Sequence, residues 1–284
     1  MPIDREKALA HEFPPGQGAY QPDDVILYAL GVGAGNPPLD PSELEYTYEK
    51  QLKVLPSFVT TVNGGGASFF GVPGLEFNPA MMLHGEQDIE IHKPLPPEAE
   101  LSGRSSIVDI YDKGKAALLV FQTETQDASG DLLYTVRMSL FLRGEGGFGG
   151  EGGPKPGNAA PDREPDGVVR STTLPQQAIL YRLNGDKNPL HIDPDFAKMG
   201  GFDRPIIHGL CSYGIVCKAV VDDALGGDPT QVARYQARFA GVAWPGETYE
   251  TRWWREGGKI LIEARIPERE NAVVISNAAF TLRA

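Results

Sequence analysis

Leu132, Tyr134, Val136, Met138, Leu140 and Leu142 recur at every second position of one stretch. That period places them on one face of a half-buried β-strand. Ile260, Ile262, Ala264 and Ile266 repeat the pattern near the end of the chain. Gly114 and the Gly257-Gly258 pair mark turns entering these regions, and Asp127-Ala128-Ser129-Gly130-Asp131 reads as a hairpin. One segment keeps a different period. In HGLCSYGIVCKAVVDDAL, residues Leu210, Tyr213, Gly214, Cys217 and Val221 share one helical face. LPSFVTTV, from Leu55 to Val62, is the less regular counterpart in the first half. A central helix wrapped by strands predicts an α+β layer architecture.

The two halves are related. PDDVILYALGVGAGNPPLDP (Pro22 to Pro41) and PQQAILYRLNGDKNPLHIDP (Pro175 to Pro194) align without a gap, with seven of twenty positions identical. Between them runs a Gly/Pro-rich segment from Arg143 to Gly167 that lacks periodicity and reads as a surface linker. Its Gly-Gly pairs lack the strand–loop–helix setting and the closing Lys-Ser/Thr of a phosphate loop. The expected organisation is an N-terminal repeat at 1–143, a linker at 144–167 and a C-terminal repeat at 168–284, the repeats packing as a pseudo-dimer.

Composition narrows the partners. The 284 residues are 41% hydrophobic and 23% charged, as in a globular protein. No apolar run approaches the ~18 residues that span a bilayer, and MPIDREKALAHEF lacks the basic flank and apolar stretch of a signal peptide. A net charge of -12 argues against nucleic acid or an anionic membrane as partner. A polyanionic ligand would need a local basic or helix-terminal site. Cys211 and Cys217 suit neither a disulfide framework nor a zinc site, and read as small core residues in a reducing compartment.

The candidate chemistry lies in GDKNPLHIDPDFAKMGGFDRPIIHG, Gly185 to Gly209. Pro189 keeps Asp186 and His191 in a loop, where both side chains can converge on one water. An imidazole exchanges protons near neutral pH, and a carboxylate beside it can orient it, hold the water or transfer the proton itself. Asn188 adds a neutral donor or acceptor. Gly209 opens the predicted helix, so its backbone N–H is unspent and approachable, and suits a developing enolate oxygen. The repeat acts as a control: Asp186 falls opposite Gly33, His191 opposite Pro38 and Gly209 near Pro56, which has no N–H. A pair confined to one copy has a role other than holding the scaffold. Asp193-Pro194 recurs as Asp40-Pro41 and reads as a helix cap and first turn. His208 is expected to pack or bond beneath the helix start. His191 and Asp193 make at most half a metal site, so no metal is expected.

YRLNGDKNPLHIDPDFAKMGGFDRPIIHGLCSYG resembles the hydratase 2 signature of the MaoC-like dehydratases, and the likeness extends to LHGEQDIEIHKPLP, RGEGGFGG and ARFAGVAWPGETYETRWWREG. The resemblance implies a double hot-dog fold, each repeat an antiparallel sheet around a central helix. It implies (R)-specific 2-enoyl-CoA hydratase activity, a syn-type addition giving (3R)-3-hydroxyacyl-CoA, in fatty acid or related acyl-CoA metabolism. Asp186 and His191 become the acid–base pair, Gly209 the oxyanion donor and Asn188 a supporting residue. The first repeat becomes a degenerate hot-dog that houses the acyl chain, with His84, Glu86 and Gln87 in its motif. No cofactor is expected, CoA being part of the substrate; Lys187, Arg234 and Arg238 are candidates for its phosphates, and Gln87 and His208 for further substrate contacts. A homodimer is expected. The ending Leu282-Arg283-Ala284 is no peroxisomal signal, and a bacterial-type cytoplasmic enzyme is expected. The alternatives are a dehydratase acting on acyl-carrier-protein thioesters, a thioesterase, and a non-catalytic acyl-CoA binder, since hot-dog scaffolds host several activities.

Overall fold

The period-two segments form an antiparallel sheet in a computed structural model that describes residues 3–62, 64 and 67–283. Ala284, the last residue of the ending read above, lies outside them. The first half supplies β1 (Gly16–Tyr20), β2 (Met82–Ile91), β3 (Ala99–Asp112), β4 (Ala116–Asp127) and β5 (Leu132–Arg143). The second supplies β6 (Gly167–Thr172), β7 (Val232–Phe239), β8 (Thr248–Glu256), β9 (Lys259–Ile266) and β10 (Ala272–Leu282). Among the described residues the spatial order is β1-β3-β4-β5-β2-β7-β10-β9-β8-β6. The halves therefore mirror each other across β2 and β7, which pair from Glu86↔Arg238 to Glu90↔Arg234. One sheet serves both repeats.

Short helices fill in around it: α1 (Arg5–Leu9), α2 (Pro22–Gly31), α3 (Pro41–Thr47), α4 (Gln177–Tyr181) and α5 (Pro194–Met199). The repeat shows in their caps. Asp40 accepts from Ser42 N at 2.9 Å to start α3, and Asp193 accepts from Asp195 N at 2.9 Å to start α5. Both are caps, as read from the sequence.

The long helix α6 (Gly209–Ala224) is the axis of the second half. Its burial differs from the one-faced pattern expected: every residue from Cys211 to Val221 is buried. The curved sheet packs on one side, with Ile260, Ile262, Ala264 and Ile266 all fully buried, while α2 crosses the other. At that crossing a Cβ on Gly214 would stand 2.5 Å from both Tyr28 Oη and Val32 Cγ1, so only glycine fits. Lys218 pairs with Glu43 at 2.6 Å and Asp222 at 2.8 Å, tying α3 down as well. Both cysteines are buried and unbonded to one another, and burial pushes the Cys217 thiol up to about 12.

The first half departs from the helix-per-repeat expectation. At the place of α6 it has one 3-10 turn, Pro56–Thr60. Its sheet is covered instead by coil: Phe69, Val72 and Leu75, with Ala8 of α1, pack on Ile107, Ile110, Leu119, Phe121 and Leu140. LPSFVTTV is too short and too rich in β-branched residues to extend that turn into a helix.

Candidate functional site

The loop between α4 and α6 carries the polar residues, and its local bonds explain its shape. Gly185 ends the preceding turn with φ 119°, a left-handed conformation suited to glycine. Asp186 Oδ1 accepts from Asn188 N at 3.1 Å, and Asn188 Oδ1 accepts from Leu190 N at 3.0 Å. Asn188 thus caps the 3-10 turn Pro189–His191, which presents His191 to the interior. Asp186, Lys187 and Asn188 are exposed, whereas His191 and His208 are buried.

His191 has its tautomer fixed. Its Nδ1–H donates to the Ile206 carbonyl at 2.9 Å, and because a carbonyl only accepts, the lone pair must lie on Nε2. Burial lowers its pKa, against the Ile206 carbonyl and Asp186, which raise it. The ring is therefore a neutral base at pH 7. His208 stacks on it with ring centroids 3.7 Å apart and 29° between planes, and donates from Nε2–H to the Asp186 backbone carbonyl at 3.3 Å. Burial and the neighbouring His191 take the pKa of His208 down to about 4. His208 thus touches both members of the pair, through its ring on His191 and its hydrogen bond to the Asp186 backbone.

Polar atoms of Asp186, His191 and His208 lie within 4.8 Å of one another. From the sequence His208 is a candidate contact, but its stacking on His191 is not legible there, because it comes in from the far end of the loop. Two imidazoles and a carboxylate at that spacing could also lend ligand atoms to a metal ion. The cluster suits proton transfer.

Gly209 is the first residue of α6 and is exposed, so its N–H is among those a helix leaves without an internal partner. The Phe239 ring, at the end of β7, flanks it; a Cβ at 209 would meet that ring at 3.4 Å. The first repeat reaches the same place. A bulge between His84 and Glu86 returns His84 to the inner face of β2, and its ring stands edge-on to Phe239 at 5.0 Å. Gly85 is needed there, since a Cβ would come within 2.5 Å of Phe141. Burial takes the His84 pKa down to about 4, with Gln87 and Asp186 among the groups resisting the fall. Gln87 is buried and donates to the Arg137 carbonyl at 3.1 Å, so it braces β2.

Arg234 is placed elsewhere, correcting its candidacy for phosphates of a bound thioester. It grips Asp88 through two bonds of 2.9 and 2.6 Å on the outer face of the sheet. Five residues of strand, about 16 Å, separate it from Phe239 beside Gly209. Arg238 lies on the same outer face, paired in register with Glu86. Lys187 stays at the site, next to Asp186 and exposed. Ile206 and Phe239 are the contributors not read from sequence: one acts through its carbonyl and the other through ring position, and neither has a residue-type signature.

The chain matches the MFE-2 hydratase 2 N-terminal domain over residues 19–144 and the MaoC like domain over residues 157–278. It is 45% identical over 284 residues to the enoyl-CoA hydratase ChsH3 of Mycobacterium tuberculosis, covering 97% of this chain and 98% of that one. A MaoC-like dehydratase from Phytophthora capsici, 36% identical, superposes with a TM-score of 0.88 over 98% of both chains. At the level of fold alone, the M. tuberculosis protein Rv0216, described as a double hotdog, matches with a TM-score of 0.54 at 13% identity over 96% of this chain and 94% of that one. With both halves matched in tandem and identity sustained along the whole chain, the protein belongs to the MaoC-like family in its hydratase 2 form, on a double hot-dog fold.

Proposed function

We propose that the chain is a hydro-lyase that adds water reversibly to a trans-2-enoyl-CoA, giving a (3R)-3-hydroxyacyl-CoA, in fatty acid or related acyl-CoA metabolism. The observation that carries this is the neutral His191, its Nε2 lone pair free, within reach of the Asp186 carboxylate and beside the uncommitted N–H of Gly209. One water can donate a hydrogen to each of the two acceptors. As its oxygen bonds to C3 of the substrate, one acceptor takes a proton, and the C2=C3 electrons move toward the thioester oxygen. The Gly209 N–H and the positive end of α6 stabilise that enolate, and a proton delivered to C2 completes the addition. Asp186 and His191 are thus the acid–base pair; the amide of Asn188 and Lys187 are at hand for the polar part of the substrate. The similarity to a named enoyl-CoA hydratase supports the same reading. The acyl chain is assigned to the first repeat, where coil replaces the central helix.

The test follows loss of enoyl-thioester absorbance with crotonyl-, decenoyl- and a bulky branched enoyl-CoA, with chiral analysis of the product. The wild type is expected to make the (3R)-alcohol, and folded Asp186→Asn and His191→Gln to lose at least about a hundredfold in rate. Release of free CoA without hydration would assign a thioesterase instead.

A further inference from the structure

A negatively charged protein that takes a coenzyme A thioester must hold the nucleotide phosphates somewhere, and Arg234 is spent on Asp88. We propose that Arg204 and Trp244 form the site for the nucleotide end of the thioester. The proposal rests on the hydration reading and deepens it by naming the carrier the site selects.

Arg204 lies within the loop that runs from His191 to Gly209, and its guanidinium sits over the Trp244 ring at 5.2 Å. It is exposed, and it has no ion pair or hydrogen bond among the described residues. A second guanidinium, that of Arg269, lies over the Trp244 ring at 4.4 Å and is itself fixed by Glu247 at 2.8 Å and by the Val242 carbonyl. The ring is an aromatic floor, while Arg204 over it is secured only by a cation–π contact. A purine can take that face of the ring while the guanidinium turns to a phosphate, for which its planar fork is suited.

Position supports the assignment. Ile207 N–H donates to the Ala243 carbonyl at 2.8 Å, which sets Trp244 beside the segment leading into Gly209. Adding the intervening residues, Trp244 is on the order of 15 Å or less from Gly209. That span suits a pantetheine arm joining a thioester at the Gly209 N–H to a nucleotide on Trp244. A phosphopantetheine carried on a protein has no purine to place there, so the pair favours the CoA carrier.

The test compares crotonyl-CoA with crotonyl-pantetheine on wild type, Arg204→Ala and Arg204→Glu. For crotonyl-CoA, KM should rise about tenfold in Arg204→Ala and further in Arg204→Glu, with kcat unchanged. For crotonyl-pantetheine, neither constant should move. An unchanged KM for crotonyl-CoA, or an equal loss on both substrates, overturns the proposal. Calorimetry with adenosine 3′,5′-bisphosphate tests the same residues without turnover. Wild type should bind it and Arg204→Glu should not; equal binding, or none by wild type, overturns the assignment even if hydration is observed.

Discussion

His191 is a base because of where its other nitrogen is spent. The Asp186–His191 spacing is legible in the sequence, since a proline-broken loop with a carboxylate and an imidazole has few structural uses. The Ile206 carbonyl that fixes the tautomer is not legible, because every residue offers one. The same burial that keeps these rings neutral makes stability depend on pH. In the folded protein His84 and His208 titrate at about 4, against about 6.5 unfolded. The unfolded chain therefore binds protons first as pH drops, and stability present above pH ~6.5 is lost on the way down to about 4. The midpoint of urea unfolding should fall across that window. The fall should be shallower in His84→Asn, and an equal slope in the two proteins would refute the account.

At the scale of elements, α6 shows how one residue type separates folding from chemistry. Two glycines on the helix have opposite meanings. Gly214 is demanded by the crossing of α2, whereas Gly209 meets only the edge of Phe239 and adopts no left-handed backbone. The first repeat supplies a further clue, since its 3-10 turn begins with Pro56 at the corresponding position. Proline is tolerated, even favoured, at a first helical position, and His208 before it already has the extended conformation a following proline requires. Gly209→Pro should thus fold with little change in melting temperature while losing about 10²–10³ in kcat, the cost of one oxyanion donor. A variant that keeps its rate would remove Gly209 from the mechanism. The helix itself is legible from its period. Its burial on all sides is not, because that depends on α2 arriving from the other repeat.

Across the whole molecule, the strands and the duplication are legible in alternation and internal identity, and the central helix of the first half is not there to be read. Its 3-10 turn and coil cover could be inferred only from the weakness of LPSFVTTV as a helix former. The seam between β2 and β7 likewise has no local signature, since strand partners far apart in sequence are chosen by the shape of the assembled sheet. Arg234 belongs to that seam: it joins β7 to Asp88 of β2, and Arg137 of β5 approaches the same carboxylate at 3.6 Å. Arg234→Ala should cost about 1–2 kcal/mol of stability, between the values for exposed and buried pairs. KM for an enoyl-CoA should be unaltered. Denaturant midpoints and initial rates check the two halves of this prediction, and a raised KM would return Arg234 to the substrate.

Because the repeats share a sheet, parting them would break the pairing of β2 with β7. The residues proposed to meet the substrate at its polar end, Lys187, Arg204 and Trp244, lie in loops outside the strands. An evolving lineage can therefore retune what it accepts by rewriting a few surface turns, while the ten strands behind them stay as they are.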